Sequence, residues 1–571
     1  MKKLTRRDFL KGAAAGAVSL SALPLLSSCS SKGGPSPTPS QDPVPSQASA
    51  LSWDHEADIV VVGTGTVITA ALAANELGAK SVIVLEKDQN FFGGTSVTSG
   101  GGYALPGFLT DFAGENNGDS REACLAYMKA VGEGRMEEGP MVTFLDTAEE
   151  FARWLTATMG WSKFGHISGA HGTYYEEYPN GKIYGRGSAW PFDAEGNMLM
   201  ASPQWQAFRN YIDSHDSITL MMGTAGEELI LDKQGAVIGI YAVQEGKRLA
   251  IKANKGVILG TGGFDFNEKM RKQYLPTPIF RSVACRNNTG DSQRMGAKIG
   301  AQLALMDRVM GLPFSYPNPD WKKEDATDYS IMEQSPANAD YCQFLSLPYS
   351  VLVNSKGKRF GNETREYDLV ARSFNAYDTG TMGYENIPGF FICDAQYASR
   401  FMLPGYVPAA GDLPAHVFKF DTLEELADGM GIDKEGLLRE MERFNANARL
   451  GIDPDWHRGE SQDAYDTFLS NARLALPDVD LSEFDSLSSI LKPVEQGPFY
   501  CVRYVPGSMN TRGGLQVDGD SQVVDQDGKK IPGLYAVGNC STGVAGYWAG
   551  GACISQGCVM AYVAAKSALG A

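Results

Sequence analysis

The sequence predicts an α/β protein built on a buried parallel sheet with glycine turns at its strand ends, and three separated segments predict it. Each is an apolar strand that runs straight into a glycine turn: Ala57 to Gly65, Gly256 to Phe264, and Gly533 to Asn539. The first is the most complete. Ala57-Asp58-Ile59-Val60-Val61-Val62 is apolar almost throughout, as a strand buried on both faces must be. Gly63-Thr64-Gly65 follow, then a helical stretch from Val67 to Leu77, then a second strand, Ser81 to Leu85, ending at Glu86. A glycine turn with an acid about 20 residues later marks a dinucleotide-binding βαβ unit. Gly63 allows the tight turn. Gly65 lets the backbone approach a pyrophosphate seated on the helix N-terminus, and Glu86 can accept hydrogen bonds from a ribose. One element departs from the pattern. The third glycine position holds Ile68, so the helix must sit differently against its strand.

The loop Phe92 to Gly102 comes next and is dense in glycine and hydroxyl residues, so backbone there can approach a ligand closely. Asn539, beyond the third strand, can bind a ribityl chain. Three strand–glycine turns around one nucleotide point to FAD rather than NAD, because FAD lies extended across its domain.

The chain has 571 residues, enough for two or three domains, and its 65 glycines exceed the usual share. A net charge of −17 argues against nucleic acid and against unassisted binding to anionic lipid. Thr5-Arg6-Arg7-Asp8-Phe9-Leu10-Lys11 resembles a twin-arginine export signal. The apolar run that follows, Gly12 to Leu26, is too short for a lasting membrane span. Leu26-Ser27-Ser28-Cys29 resembles a lipobox, with Cys29 as the lipidated residue. Residues 1–29 therefore read as an export signal, and residues 30–54, rich in Ser, Pro and Gly, as a flexible tether. No later segment is expected to have the length and apolarity of a transmembrane helix. Eight cysteines follow Cys29 without any CxxC spacing, which favours buried thiols and leaves disulfides open. Six scattered histidines argue against a metal centre.

Together these motifs resemble the FAD-dependent family that includes soluble fumarate reductases, urocanate reductases and 3-ketosteroid dehydrogenases. The resemblance runs from about residue 56 to the C-terminus. It implies a Rossmann-like FAD-binding domain, residues 55–284 and 491–571, interrupted by an α+β catalytic or capping domain, residues 285–490. It implies FAD held by Gly63, Gly65, Thr66, Glu86, Lys87, Gly93, Gly94, Thr95, Ser96, Ser99, Gly100, Gly101, Ala225, Thr261, Gly262, Gly538, Asn539 and Ile554. No histidine lies in the Gly93–Ser96 turn, so the histidine attachment of succinate dehydrogenases is missing and FAD is expected to be non-covalent.

Lys358-Arg359-Phe360-Gly361-Asn362-Glu363 matches the family's cap motif. Four residues after that Glu, where fumarate reductases carry a proton-donating arginine, stands Tyr367. Ala545 occupies the position of their clamping histidine, and no Arg lies between Gly546 and Gly551. A dicarboxylate in a desolvated pocket needs such cations. The 3-ketosteroid dehydrogenase pattern fits better: it implies catalytic roles for Tyr367, Tyr547, Gly551 and Tyr174. Tyr174-Tyr175-Glu176-Glu177-Tyr178-Pro179 aligns with that branch without a gap, but Glu176 replaces a proline, which leaves the assisting tyrosine open among Tyr174, Tyr175 and Tyr178.

These residues suit a ketone next to a C=C bond. Tyr547 O–H and the Gly551 N–H can both donate to its oxygen. Tyr367 can carry the proton at the α-carbon; its free pKa is about 10, and a second tyrosine hydrogen-bonded to it would stabilise the tyrosinate. FAD carries the hydride. The expected substrate is a small apolar ketone or enone, and the expected electron partner is external, a quinone pool or a cytochrome. A second reading is an enoate reductase for another acid, with Arg186, Arg365 or Arg372 as the clamp. A third is a lipoprotein that binds flavin or ligand without turnover.

Overall fold

The computed structural model describes residues 51–109, 118–166, 174–183, 186–335, 342–475, 480–543, 546 and 548–571. Cys29 and Tyr547 lie outside the described residues.

The first sheet forms where the apolar runs predicted it. His55–Val62 pairs in parallel with Val82–Leu85 on one side and with Lys247–Leu259 on the other. Ile218–Met221 extends the sheet beyond Val82–Leu85, and Lys530–Ala536 extends it beyond Lys247–Leu259, both again in parallel. An antiparallel hairpin, Thr224–Leu231 with Val237–Gln244, leans on Lys247–Leu259. The central strand is buried because both faces are covered: Val60 and Val62 face one core cluster, Ile59 and Val61 the other. On the second of these faces lie Ile68–Glu76 and the helix Ala552–Leu569.

That last helix corrects one expectation. It is long and apolar enough to cross a membrane, yet 72% of it is buried in this fold. It is apolar on all sides because protein surrounds it.

The second sheet is mixed, with Phe499–Thr511 as its hub. This strand pairs with Arg281–Ser282 in parallel and with Val309–Ser315, Gly389–Cys393 and Val417–Phe420 antiparallel. Helices Leu423–Met430 and Lys434–Arg449 cover part of one face. Where the sequence set boundaries at residues 285 and 490, the sheet begins at Arg281 and its hub strand runs on to Thr511. The seven cysteines with described side chains are free thiols, six of them buried. No cluster able to hold a metal ion occurs among the described residues.

Candidate active site

The parallel strands end together at one edge of the first sheet. Gly63 N–H donates to Leu85 O (2.7 Å), and Gly260 N–H donates to Val62 O (2.9 Å). Gly63 has φ +106°, and a Cβ there would stand 2.5 Å from Gly260 O. No other residue fits. A cavity of about 360 Å³ opens at this edge.

Ile68 is fully buried at the start of its helix, and the clearance a third glycine gives elsewhere comes from two other places. Gly260 makes room for Val67: a Cβ on it would fall 2.2 Å from Val67 Cβ. Gly557, on the last helix, makes room for Thr66: a Cβ there would fall 2.4 Å from Thr66 Oγ1. Thr69 Oγ1 then donates to Cys558 O (2.9 Å), which closes the two helices together.

Glu86 accepts from Thr64 Oγ1 (2.5 Å) and from Asp88 N–H (2.9 Å). Burial pushes its carboxyl above the usual carboxylate range, and hydroxyl donors from a ribose would favour the ionised form. Lys87 Nζ pairs with Asp291 Oδ2 at 2.7 Å. Glu86, Lys87 and Asp291 are the charged residues of the described lining.

Of the residues expected to hold the cofactor, Gly93 and Ala225 stand outside the cavity lining and the other sixteen line it. Gly93 shapes the turn instead: its φ is +108°, its N–H donates to Thr64 Oγ1 (2.8 Å), and a Cβ would strike Trp205. Ala225 lies on a strand whose neighbouring residues, Thr224 and Gly226, face the cavity, so alternation turns it away.

The other end of the cavity is lined by Tyr174, Tyr367, Gly551, Met310, Leu312, Met509, Asn510 and Cys553. The hydroxyls of Tyr174 and Tyr367 are 3.2 Å apart, and their rings meet edge to face. Tyr174 is held by its backbone: its N–H donates to Trp548 O (3.3 Å), which also accepts from Tyr127 Oη (3.0 Å). Tyr175 points elsewhere and donates to Asp368 Oδ2 (2.7 Å), while Tyr178 packs on the Tyr175 ring. Gly551 begins the last helix at φ +83°, where a Cβ would lie 2.4 Å from Gly102 O. Met509 and Asn510 were not foreseen. A β-bulge pairs Met310 with Asn510 but Gly311 with Ser508, so Met509 is extra and both consecutive side chains reach the cavity.

None of the arginines of the enoate-reductase reading lines this cavity. Arg186 is fully buried, bound to Asp119 (2.5 Å) and to Asn180 O (2.7 Å). Arg365 pairs with Glu177, and Arg372 Nε donates to Asp368 Oδ2 (2.8 Å).

A family model described as "FAD binding domain" matches residues 58–554. The chain belongs to the FAD binding domain family. Among its relatives, 4-oxocyclohexanecarboxylate 2-dehydrogenase of Sinomonas cyclohexanicum is 29% identical over 90% of this chain and 93% of that protein. 3-Oxosteroid 1-dehydrogenase of Mycolicibacterium smegmatis is also 29% identical, over 86% of this chain and 93% of that one. The crystal structure of 3-ketosteroid delta1-dehydrogenase from Sterolibacterium denitrificans, in complex with 1,4-androstadiene-3,17-dione, superposes with a TM-score of 0.74 at 25% identity, covering 90% of this chain and 100% of that one. The protein is an FAD-dependent oxidoreductase acting on CH–CH groups.

The cleft of this flavoenzyme fits FAD on its own chemistry. Gly94 and Gly100 line it with nothing within 4 Å of where a Cβ would stand, so the cradle is open to a ligand. Thr64, Thr66, Thr95, Ser96, Ser99 and Thr261 bring hydroxyls to it, Glu86 offers a ribose acceptor, and Gly538, Asn539 and Ile554 close the far side.

Proposed function

We propose that this flavoenzyme adds or removes hydrogen across a C–C bond beside a ring ketone, on a neutral, flat, apolar substrate of the 3-ketosteroid kind. One observation carries the reading: two tyrosine hydroxyls meet at the wall of an FAD cleft whose described lining has no cation at that end. A carboxylate substrate would need one. A relative named for a 3-oxosteroid supports the same substrate class; the one named for 4-oxocyclohexanecarboxylate shares the ring ketone only, since its named substrate carries a carboxylate.

FAD, which Gly63, Gly65, Glu86, Gly538 and Asn539 would hold without a covalent link, would supply the hydride chemistry at the β-carbon. Tyr367 moves the proton at the α-carbon. Tyr174 donates to the Tyr367 oxygen and stabilises its ionised form. The Gly551 N–H, with Tyr547, polarises the ketone oxygen. Met310, Leu312 and Met509 give the ring an apolar wall. An external partner, a quinone pool or a cytochrome, exchanges electrons with the flavin, and the chain is carried by the twin-arginine route and lipid-anchored at Cys29.

The test is anaerobic. The holoprotein is reduced, and flavin reoxidation is followed against 1,4-androstadiene-3,17-dione, fumarate, urocanate and cinnamate. The steroid should reoxidise it, and Tyr367→Phe should slow that by roughly 10²–10⁴-fold with FAD still bound. Reoxidation by the acids alone, or full turnover in Tyr367→Phe, would sink the proposal.

A further inference from the structure

Two consecutive residues of one segment face two consecutive residues of another. Tyr174 meets Tyr367, hydroxyl to hydroxyl, at 3.2 Å. Tyr175 donates to Asp368 Oδ2 at 2.7 Å. The first rung lines the cavity; the second lies behind it. Asp368 also accepts the Gly311 N–H on Oδ1 (2.8 Å) and Arg372 Nε on Oδ2 (2.8 Å), and its side chain is 1% exposed. Gly311 sits between Met310 and Leu312, the residues of that strand that line the cavity. One carboxylate therefore touches the segment carrying Tyr174, the helix carrying Tyr367 and the strand forming the apolar wall.

The approach is close because sequence permits it. A Cβ on Gly311 would fall 2.5 Å from Ala371 Cβ, so only glycine lets helix Tyr367–Arg372 lie so near the strand. Tyr175 stays a donor at working pH: burial first, and then the Asp368 charge, hold its hydroxyl well above the usual tyrosine range. The groups facing the second rung are Arg372 from its own helix, Tyr175 from the opposite segment and, beyond Arg372, Glu133, which also pairs with Arg308. Glu366, next to Tyr367, is buried beside Thr467.

Resting on the function proposed above, we propose that Tyr175 and Asp368 are positioning residues. Their hydrogen bond sets the register between the two segments so that Tyr174 can donate to Tyr367, and neither touches the substrate. A buried hydrogen bond to a charged acceptor is among the stronger ones a protein makes, and it favours one local register over a slipped one.

The consequence is a specific non-additivity. The ionisation of Tyr367 is isolated as the difference between ultraviolet pH titrations of the holoprotein with and without Tyr367→Phe. Measured this way, Tyr174→Phe should raise the Tyr367 pKa, because the donor to its oxygen is gone. Tyr175→Phe should raise it too, by at least half a unit, with flavin absorbance unchanged. In the Tyr174→Phe background, Tyr175→Phe should add nothing. Equal effects of Tyr175→Phe with and without Tyr174 would overturn the inference, since Tyr175 would then act on Tyr367 directly. A lower melting temperature in Tyr175→Phe with an unmoved Tyr367 titration would overturn it as well and leave a structural role only. Neither readout uses a substrate, so a failure of the steroid assay leaves this test standing. In turnover, the same variant should lower kcat at least tenfold and leave KM within threefold.

Discussion

Glu366 should make the stability of this protein fall as pH rises. Its carboxyl is buried at the N-cap of helix Tyr367–Arg372, and desolvation pushes it up to about 8, against the opposing pull of Arg365. In the unfolded chain it titrates near the ordinary 4.5. Between those values the folded state holds a proton that the unfolded state has released, so folding loses free energy as pH climbs. The contribution is fully present below pH 4.5 and is lost as pH passes through about 8. At 1.36 kcal/mol per unit, the displacement amounts to roughly 3–5 kcal/mol across that window. Glu366→Gln keeps the shape and removes the titration. Denaturant unfolding of holoprotein at pH 5 and pH 8.5 should therefore show the variant close to wild type at the lower pH and clearly more stable at the higher. A difference between the two proteins that does not change with pH would refute the reasoning.

Two further substitutions probe other parts of the molecule. Gly557→Ala would press a methyl against Thr66, 2.4 Å from its Oγ1; overpacking of this kind costs about 1–3 kcal/mol, and it should appear as faster flavin loss on dialysis. If Cys29 carries the proposed lipid anchor, Cys29→Ser should move the protein from the membrane fraction to the soluble one without changing its flavin spectrum.

What was legible in the sequence was what local periodicity encodes. A run such as Ile59-Val60-Val61-Val62 before Gly63 has few alternatives to a buried strand, and the glycine turns follow from backbone sterics alone. The relations between distant segments were hidden. Ile68 looked like a defect because the glycines that give clearance beside it, Gly260 and Gly557, stand at the end of a strand and on a helix far along the chain. Asp368, beside Tyr367, and Tyr127 carried no signal, since their roles are hydrogen bonds to segments far away in sequence. On the strand carrying Ala225, a shift of one residue exchanges the faces, and it is Thr224 and Gly226 that line the cavity. The second sheet was harder still, because several of its strands are only two to five residues long and gain their place from the hub strand rather than from their own pattern. Met509 owes its position to a bulge that no spacing rule marks.

The hub strand Phe499–Thr511 and the helix Ala552–Leu569 also set a timetable. A nascent chain that has emerged only as far as residue 490 contains four of the five parallel strands of the first sheet, but Lys247–Leu259 lacks its partner Lys530–Ala536 and the second sheet lacks its centre. Thr66 and Thr69 still wait for Gly557 and Cys558. The cleft is thus built from parts far apart in sequence: Thr69 and Cys558, 489 residues apart, must meet before its helices close together, so cofactor capture reports a long-range assembly and not a local one.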